Sequence, residues 1–201
     1  MSFPHRSWAF VPLSGVAVLL ITPALAICLD IIPFDARFEA LLVVSAVCIA
    51  FCALAGFSFR ELGLRRSFVL RHWLGCSALT LLLVASIFVE AQVFANFHRP
   101  PDWVSFAPFY VLVSTPCQEL VCRSVPKLVT DRLRKSDATY VLYSATIFSL
   151  MHLAYADVAL LLNTFLLGLV WGTAYAITRN LWPVIASHAV VGMLAFSMGL
   201  A

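Results

Sequence analysis

The chain has 201 residues, of which 62% are hydrophobic and only 11% charged, with a formal net charge of +3 and a mean hydropathy of +0.96. So little polar side chain cannot cover a water-soluble globule of this size, and no basic run is long enough to bind nucleic acid. The composition describes one membrane-embedded domain over residues 1–201 that crosses the bilayer several times.

In chain order, the first predicted span covers 8–29. Arg6, an apolar run and Pro23–Ala26 ("PALA") resemble a signal peptide with its cleavage site. The run is nonetheless long enough to span, and Ile27 before Cys28 makes a poor lipobox, so a retained first helix is expected. Six further spans are predicted at about 38–58, 73–95, 103–129, 138–156, 158–178 and 182–200. The expected fold is therefore all-α, a polytopic transmembrane bundle of about seven spans. The fourth span contains Pro108, Pro116 and Pro126. Each proline removes a backbone donor, so this helix should be kinked or interrupted.

Arg6, the 60–71 loop (Arg60, Arg65, Arg66, Arg71), the 132–135 loop (Arg132, Arg134, Lys135) and Arg179 fall on one side of a seven-span path. The opposite loops hold only Arg37 and Arg99 among Asp30, Asp35, Glu39, Asp102 and Asp157. The positive-inside rule then gives a cytoplasmic N-terminus. The six cysteines (28, 48, 52, 76, 117, 122) all lie in apolar stretches, as buried free thiols do, and do not form a secreted disulfide framework.

Charged side chains inside a bilayer cost about 3 kcal/mol or more and normally face the bundle interior with a partner. The candidates are Glu90, Glu119, Arg123, His152 and His188. Glu119 and Arg123 are four apart and project from one helix face as an ion pair. In isolation such a pair reads as a staple between helices, and each histidine as a satisfied interior residue. Three helices supplying Glu/Arg, His and His form a stronger pattern, able to activate water, stabilise an oxyanion or bind a metal. Glu90, near the end of the third span, reads first as an interfacial residue.

The order and spacing of these residues resemble the CAAX-protease and bacteriocin-processing (ABI) family of intramembrane proteases, which shows E-E-x-x-x-R, then F-x-x-x-H, then H-x-x-x-N or H-x-x-x-D. The chain has Gln118-Glu119-Leu120-Val121-Cys122-Arg123, Phe148 followed by His152, and His188 followed by Gly192. The stretch Phe165–His188, with Gly168 and Gly172 spaced as G-x-x-x-G for close helix packing, and the Glu61–Arg66 segment "ELGLRR" add to the likeness. The resemblance covers roughly residues 55–200. It implies a glutamic-type endopeptidase that needs no metal and cleaves a membrane-anchored protein or peptide: a prenylated tail, a leader peptide or a C-terminal sorting signal. A bacterial cytoplasmic membrane is the expected location. By position, His152 is the implied partner base, His188 an implied oxyanion donor and Arg123 the group that orients the carboxylates.

Two positions depart from the pattern. Gln118 stands where the family has its first Glu, and an amide cannot accept a proton at useful pH. Gly192 stands where the family has Asn or Asp. Four readings of Gln118 are open: an introduced Glu→Gln substitution, Glu119 acting as the base, a thiol nucleophile at Cys117 or Cys122 working with His152, or a natural, catalytically silent chain that binds a membrane partner. A zinc site built from Glu119, His152 and His188 is a further alternative, although no H-E-x-x-H is present. A transporter or proton relay would use Glu90, Glu119 and the histidines, but no sequence repeat supports it.

Overall fold

The computed structural model describes residues 13–64, 68–94 and 101–200, without the side chains of 93 and 94. Arg6, the start of the first predicted span, Arg65, Arg66 and Arg99 lie outside the described residues. Every element among the described residues is helical. α1 is Leu13–Cys28, α2 is Arg37–Leu54 and α3 is Leu70–Phe94. A long continuous path follows: α4 (Trp103–Phe109), a π-helical segment (Tyr110–Ser114), α5 (Thr115–Glu119), a second π segment (Leu120–Ser124) and α6 (Val125–Arg132). Then come α7 (Asp137–Leu150), a 3-10 turn (Met151–Tyr155), α8 (Val158–Thr178) and α9 (Leu181–Ser197).

Three helical stretches are long and apolar enough to cross a membrane, Phe34–Leu54, Leu70–Gln92 and Val158–Thr178, and α1 and α9 are shorter apolar helices. The chain is an integral membrane protein. The apolar window of Leu70–Gln92 is only 17% buried within the protein, so α3 turns most of its surface outward. The opposite holds for the second π segment, where Val121, Cys122, Arg123 and Ser124 are all 0% exposed. That segment is the axis around which the other helices pack.

The prolines of this central path do not break it. In each π segment a backbone N–H reaches back five residues, from Thr115 to Tyr110 and from Val125 to Leu120. Pro116 and Pro126 follow immediately after these two donors. A proline has no N–H to offer and crowds the preceding turn; the wider π turn absorbs this while the helix continues. The disruption expected from the prolines, a kinked, tilted or interrupted helix, takes the form of two local changes of winding.

Start and stop signals account for the remaining boundaries. Asp102, Ser136, Asp157 and Asn180 each accept a backbone N–H of the following first turn through the side chain. Ala156 and Arg179, both with left-handed φ near 50°, terminate the turns before them. At the α6–α7 corner the buried Lys127 donates to Asp131 at 2.9 Å and to Asp137. The Lys127 hydrogen bond holds the Asp137 carboxyl below the ordinary carboxylate range.

Two contacts fix the helices that carry the site. A Cβ placed on Gly168 would stand 2.8 Å from Ala145 Cα, so α8 approaches the α7 backbone as closely as hydrogen allows. The "ELGL" part of the 61–66 segment clips the second π segment to the α8–α9 corner. The Leu62 carbonyl accepts from Ser124 Oγ (2.7 Å), the Gly63 carbonyl from Leu181 N (3.1 Å) and the Leu64 carbonyl from Trp182 Nε1 (2.9 Å).

Candidate active site

Glu119 and Arg123 lie on the central path and are both 0% exposed. Glu119 Oε2 accepts from Arg123 Nε at 3.1 Å, and Glu119 Oε1 stands 2.7 Å from His188 Nδ1 on α9. Arg123 Nη1 donates to Ser144 Oγ on α7 at 2.9 Å, and its guanidinium carbon sits 4.6 Å over the Phe148 ring. Ser144 Oγ in turn donates to the Cys122 carbonyl at 2.6 Å. Both carboxylate oxygens of Glu119 are therefore engaged, and the carboxylate ties α5 to α9 while Arg123 ties the same path to α7. A charge buried this deeply is tolerated because it is paired and hydrogen-bonded.

The His188 ring is held from several sides. Trp171 of α8 stacks on it at 4.5 Å between ring centroids and 22° between planes. Phe148 meets it edge-on at 5.4 Å. Trp171 is fixed by its own Nε1, which donates to Ser187 Oγ at 3.0 Å.

His152 is not inside α7, as its predicted span implied, but in the 3-10 turn that ends it. Its Nδ1 lies 2.7 Å from the Phe148 carbonyl. A carbonyl only accepts, so Nδ1 carries the proton and Nε2 keeps its lone pair. The bond also satisfies a carbonyl that the end of the helix leaves open. Gln118 Nε2 donates to Ser114 Oγ at 2.9 Å, which leaves Oε1 as the acceptor.

Gln118, His152, His188, Phe148, Trp171 and Gly192 line one chamber with about 70 Å³ of water-accessible space. A single water needs only ~10–15 Å³ by such a measure, so several fit. Gln118 and His152 also line a second cavity of similar size, between α1, α2 and the 3-10 turn, that contains Arg37. Together with Phe38 and Tyr155 they form the wall common to both.

The other candidates stand apart. Neither Cys117 nor Cys122 lines the chamber. Cys122 is fully buried, with Sγ 3.3 Å from Met151 Sδ. Glu90 accepts from Asn163 of α8 and faces a different cavity of about 220 Å³. Glu119 and His188 meet, but no three His, Cys, Asp or Glu side chains among the described residues are grouped as metal ligands. Ser114, Ser144 and Trp171 were not singled out in the sequence. Serine is common in membrane helices, and Trp171, inside the Phe165–His188 stretch, gave the only usable signal.

Residues 100–194 match the family model described as "Type II CAAX prenyl endopeptidase Rce1-like". No curated protein and no solved structure gives a significant match. The matched segment contains Gln118, Glu119, Arg123, His152, His188 and Gly192, and with them every polar contact described for the chamber wall.

Proposed function

We propose, on the match of residues 100–194 to the Rce1-like family model, that the chain is an intramembrane endopeptidase whose centre is the chamber of Gln118, His152 and His188. The observation that carries this reading is the convergence of these three side chains, from separate elements, on one water-accessible space. His152 Nε2, with its tautomer set by the Phe148 carbonyl, takes a proton from water. Gln118 Oε1 accepts the other hydrogen and holds the water in place. As the water oxygen bonds to the peptide carbonyl carbon, the C=O electron pair moves onto oxygen. His188 acts in this step as the imidazolium, its Nδ1–H donating to the Glu119 carboxylate and its Nε2–H donating to that charge. When the C–N bond breaks, His152 passes its proton to the leaving amine. Glu119, Arg123 and Ser144 hold the helices in register.

The substrate is a peptide segment anchored at the bilayer, with a prenylated tail as the first candidate. A bacterial inner membrane as the location belongs to the same proposal, and so does a cytoplasmic N-terminus, which the distribution of Arg and Lys supports.

The test compares the chain with Gln118→Glu and His152→Ala in proteoliposomes, using a quenched-fluorescent farnesylated CaaX-tail peptide. Gln118→Glu, which adds a second proton acceptor, raises kcat at least tenfold. His152→Ala removes ~10²–10⁴-fold. Cleavage unchanged in His152→Ala overturns the reading. No cleavage in any form, with tight retention of the peptide, favours a silent partner-binding protein, for which Gln118 and Gly192 are the supporting departures.

A further inference from the structure

Gly192 leaves the chamber without a side chain one helical turn after His188, but the space is filled. A Cβ built on Gly192 would overlap the Tyr110 hydroxyl oxygen and stand 2.7 Å from Tyr110 Cζ and 3.0 Å from Cε1. The tip of a phenol from the central path therefore occupies the volume that any side chain at position 192 would enter. We propose that the Tyr110 hydroxyl is the chamber's second oxyanion donor, delivered from the central path in place of a polar side chain on α9. The proposal rests on the proteolytic reading above.

Three observations support it. Tyr110 lines the same chamber as Gln118, His152 and His188, so its hydroxyl borders the space in which a carbonyl would be attacked. Its ring is held on three sides, stacked on Phe106 at 5.3 Å, edge-on to Phe196 at 5.3 Å and edge-on to His188 at 6.2 Å. A donor fixed before the reaction has no reorganisation left to do when charge develops, which makes such donors effective. Finally, Tyr110 opens the first π segment. The extra residue in that turn sets the angular position of Tyr110 relative to Gln118 and so aims both side chains into one chamber. In the reaction the phenol donates a hydrogen bond and keeps its proton: the carbonyl oxygen gains the C=O electron pair, and the O–H of Tyr110 points to it beside His188. The sequence departure at Gly192 then pairs with Tyr110 as one unit, because a larger residue at either place excludes the other.

The experiment uses the full chain in proteoliposomes, both as it stands and with Gln118→Glu, and the same farnesylated CaaX-tail peptide. Tyr110→Phe keeps the ring and removes only the hydroxyl. The expected result is a ~10²–10³-fold fall in kcat, the loss typical of one missing oxyanion donor, with KM and unfolding temperature nearly unchanged. Gly192→Asn alone lowers the unfolding temperature, because its side chain meets the phenol. In the Tyr110→Ala background, which has lost the packing of the ring, the further change Gly192→Asn meets no phenol, lowers the unfolding temperature less than it does beside Tyr110, and regains part of the lost kcat. Two results each overturn the assignment: a Tyr110→Phe chain that cleaves within about threefold of its parent, or a Gly192→Asn change that lowers the unfolding temperature as much in the Tyr110→Ala background as it does with Tyr110 present. If neither parent cleaves the peptide, the proteolytic reading falls and takes the Tyr110 assignment with it. Cleavage by the parents with an indifferent Tyr110→Phe removes Tyr110 alone.

Discussion

Glu119 and His188, 69 positions apart in sequence, meet at 2.7 Å with almost no solvent access, and the carboxylate is shared with Arg123 at 3.1 Å. This places the residue next to Gln118 behind the chamber wall, with both oxygens engaged, while Gln118 itself lines the chamber. Adjacent positions on the central path therefore face different tasks, one structural and one toward the cavity.

The first prediction concerns that buried pair. Glu119→Leu leaves Arg123 charged, buried and without its carboxylate, a loss of about 3–5 kcal/mol for a broken buried pair. Glu119→Gln keeps an oxygen to accept from Arg123 Nε and turns its amide N–H to His188, which then accepts at Nδ1 as a neutral ring, and it costs less. Thermal unfolding in bicelles should rank the chains as parent, then Glu119→Gln, then Glu119→Leu. Equal stability of the last two would contradict the pairing.

A second prediction separates the two glycines of α8. A methyl group on Gly168 meets Ala145 Cα at 2.8 Å, whereas one on Gly172 finds nothing nearer than 3.7 Å. Gly168→Ala forces α7 and α8 apart, at a cost of about 1–3 kcal/mol for overpacking, and shifts His152 at the end of α7. Gly172→Ala is tolerated, and it also removes the helix penalty of glycine. Unfolding temperatures of the two variants, measured side by side, should therefore move in different amounts, with only Gly168→Ala clearly below the parent.

The thiols give a third. Cys122 is fully buried against Met151, and Cys117 lies away from the chamber. Cys117→Ala and Cys122→Ala, singly and together, are expected to retain peptide cleavage within about threefold. Abolition of cleavage by either one, in a chain that still folds, would restore a covalent thiol mechanism.

A fourth addresses metal. Exhaustive chelation followed by buffer exchange should leave cleavage unchanged. Loss of cleavage that zinc restores would point to a site built on Glu119, His152 and His188.

Much of the candidate site was legible in the sequence because charged and imidazole side chains are costly in lipid. Glu119, Arg123, His152 and His188 announce themselves by being polar where apolar residues are expected, and the four-residue spacing of Glu119 and Arg123 is enough to pair them. Among the described residues the long helical stretches follow the apolar windows for the same reason. What could not be read were features without a polar signature. The prolines were expected to kink, tilt or interrupt the central helix, and the sequence does not say which of these occurs or that a widened turn absorbs them. The end of α7 before His152 depends on a 3-10 turn and on a left-handed Ala156, a conformation that alanine does not advertise. "ELGL" was recognisable only as a likeness; that its carbonyls receive Ser124, Leu181 and Trp182 is a tertiary fact. Tyr110 was overlooked because an aromatic residue in a membrane helix is ordinary, and only its place beside Gly192 gives it meaning.

The two π turns make the central helix a counting device. An α-helix advances about 100° per residue, and each π turn holds one residue more than an α turn would. The faces upstream and downstream of such a turn are therefore offset by roughly that angle. Deleting the outward-facing Leu112 would let the first π turn relax to α geometry with no core side chain lost, yet it would swing Tyr110 and all of α4 about a quarter-turn around the axis relative to Gln118. In this stretch of chain the number of residues carries information that their identities do not, and a chain shorter by one residue here would have to build its chamber from a different face.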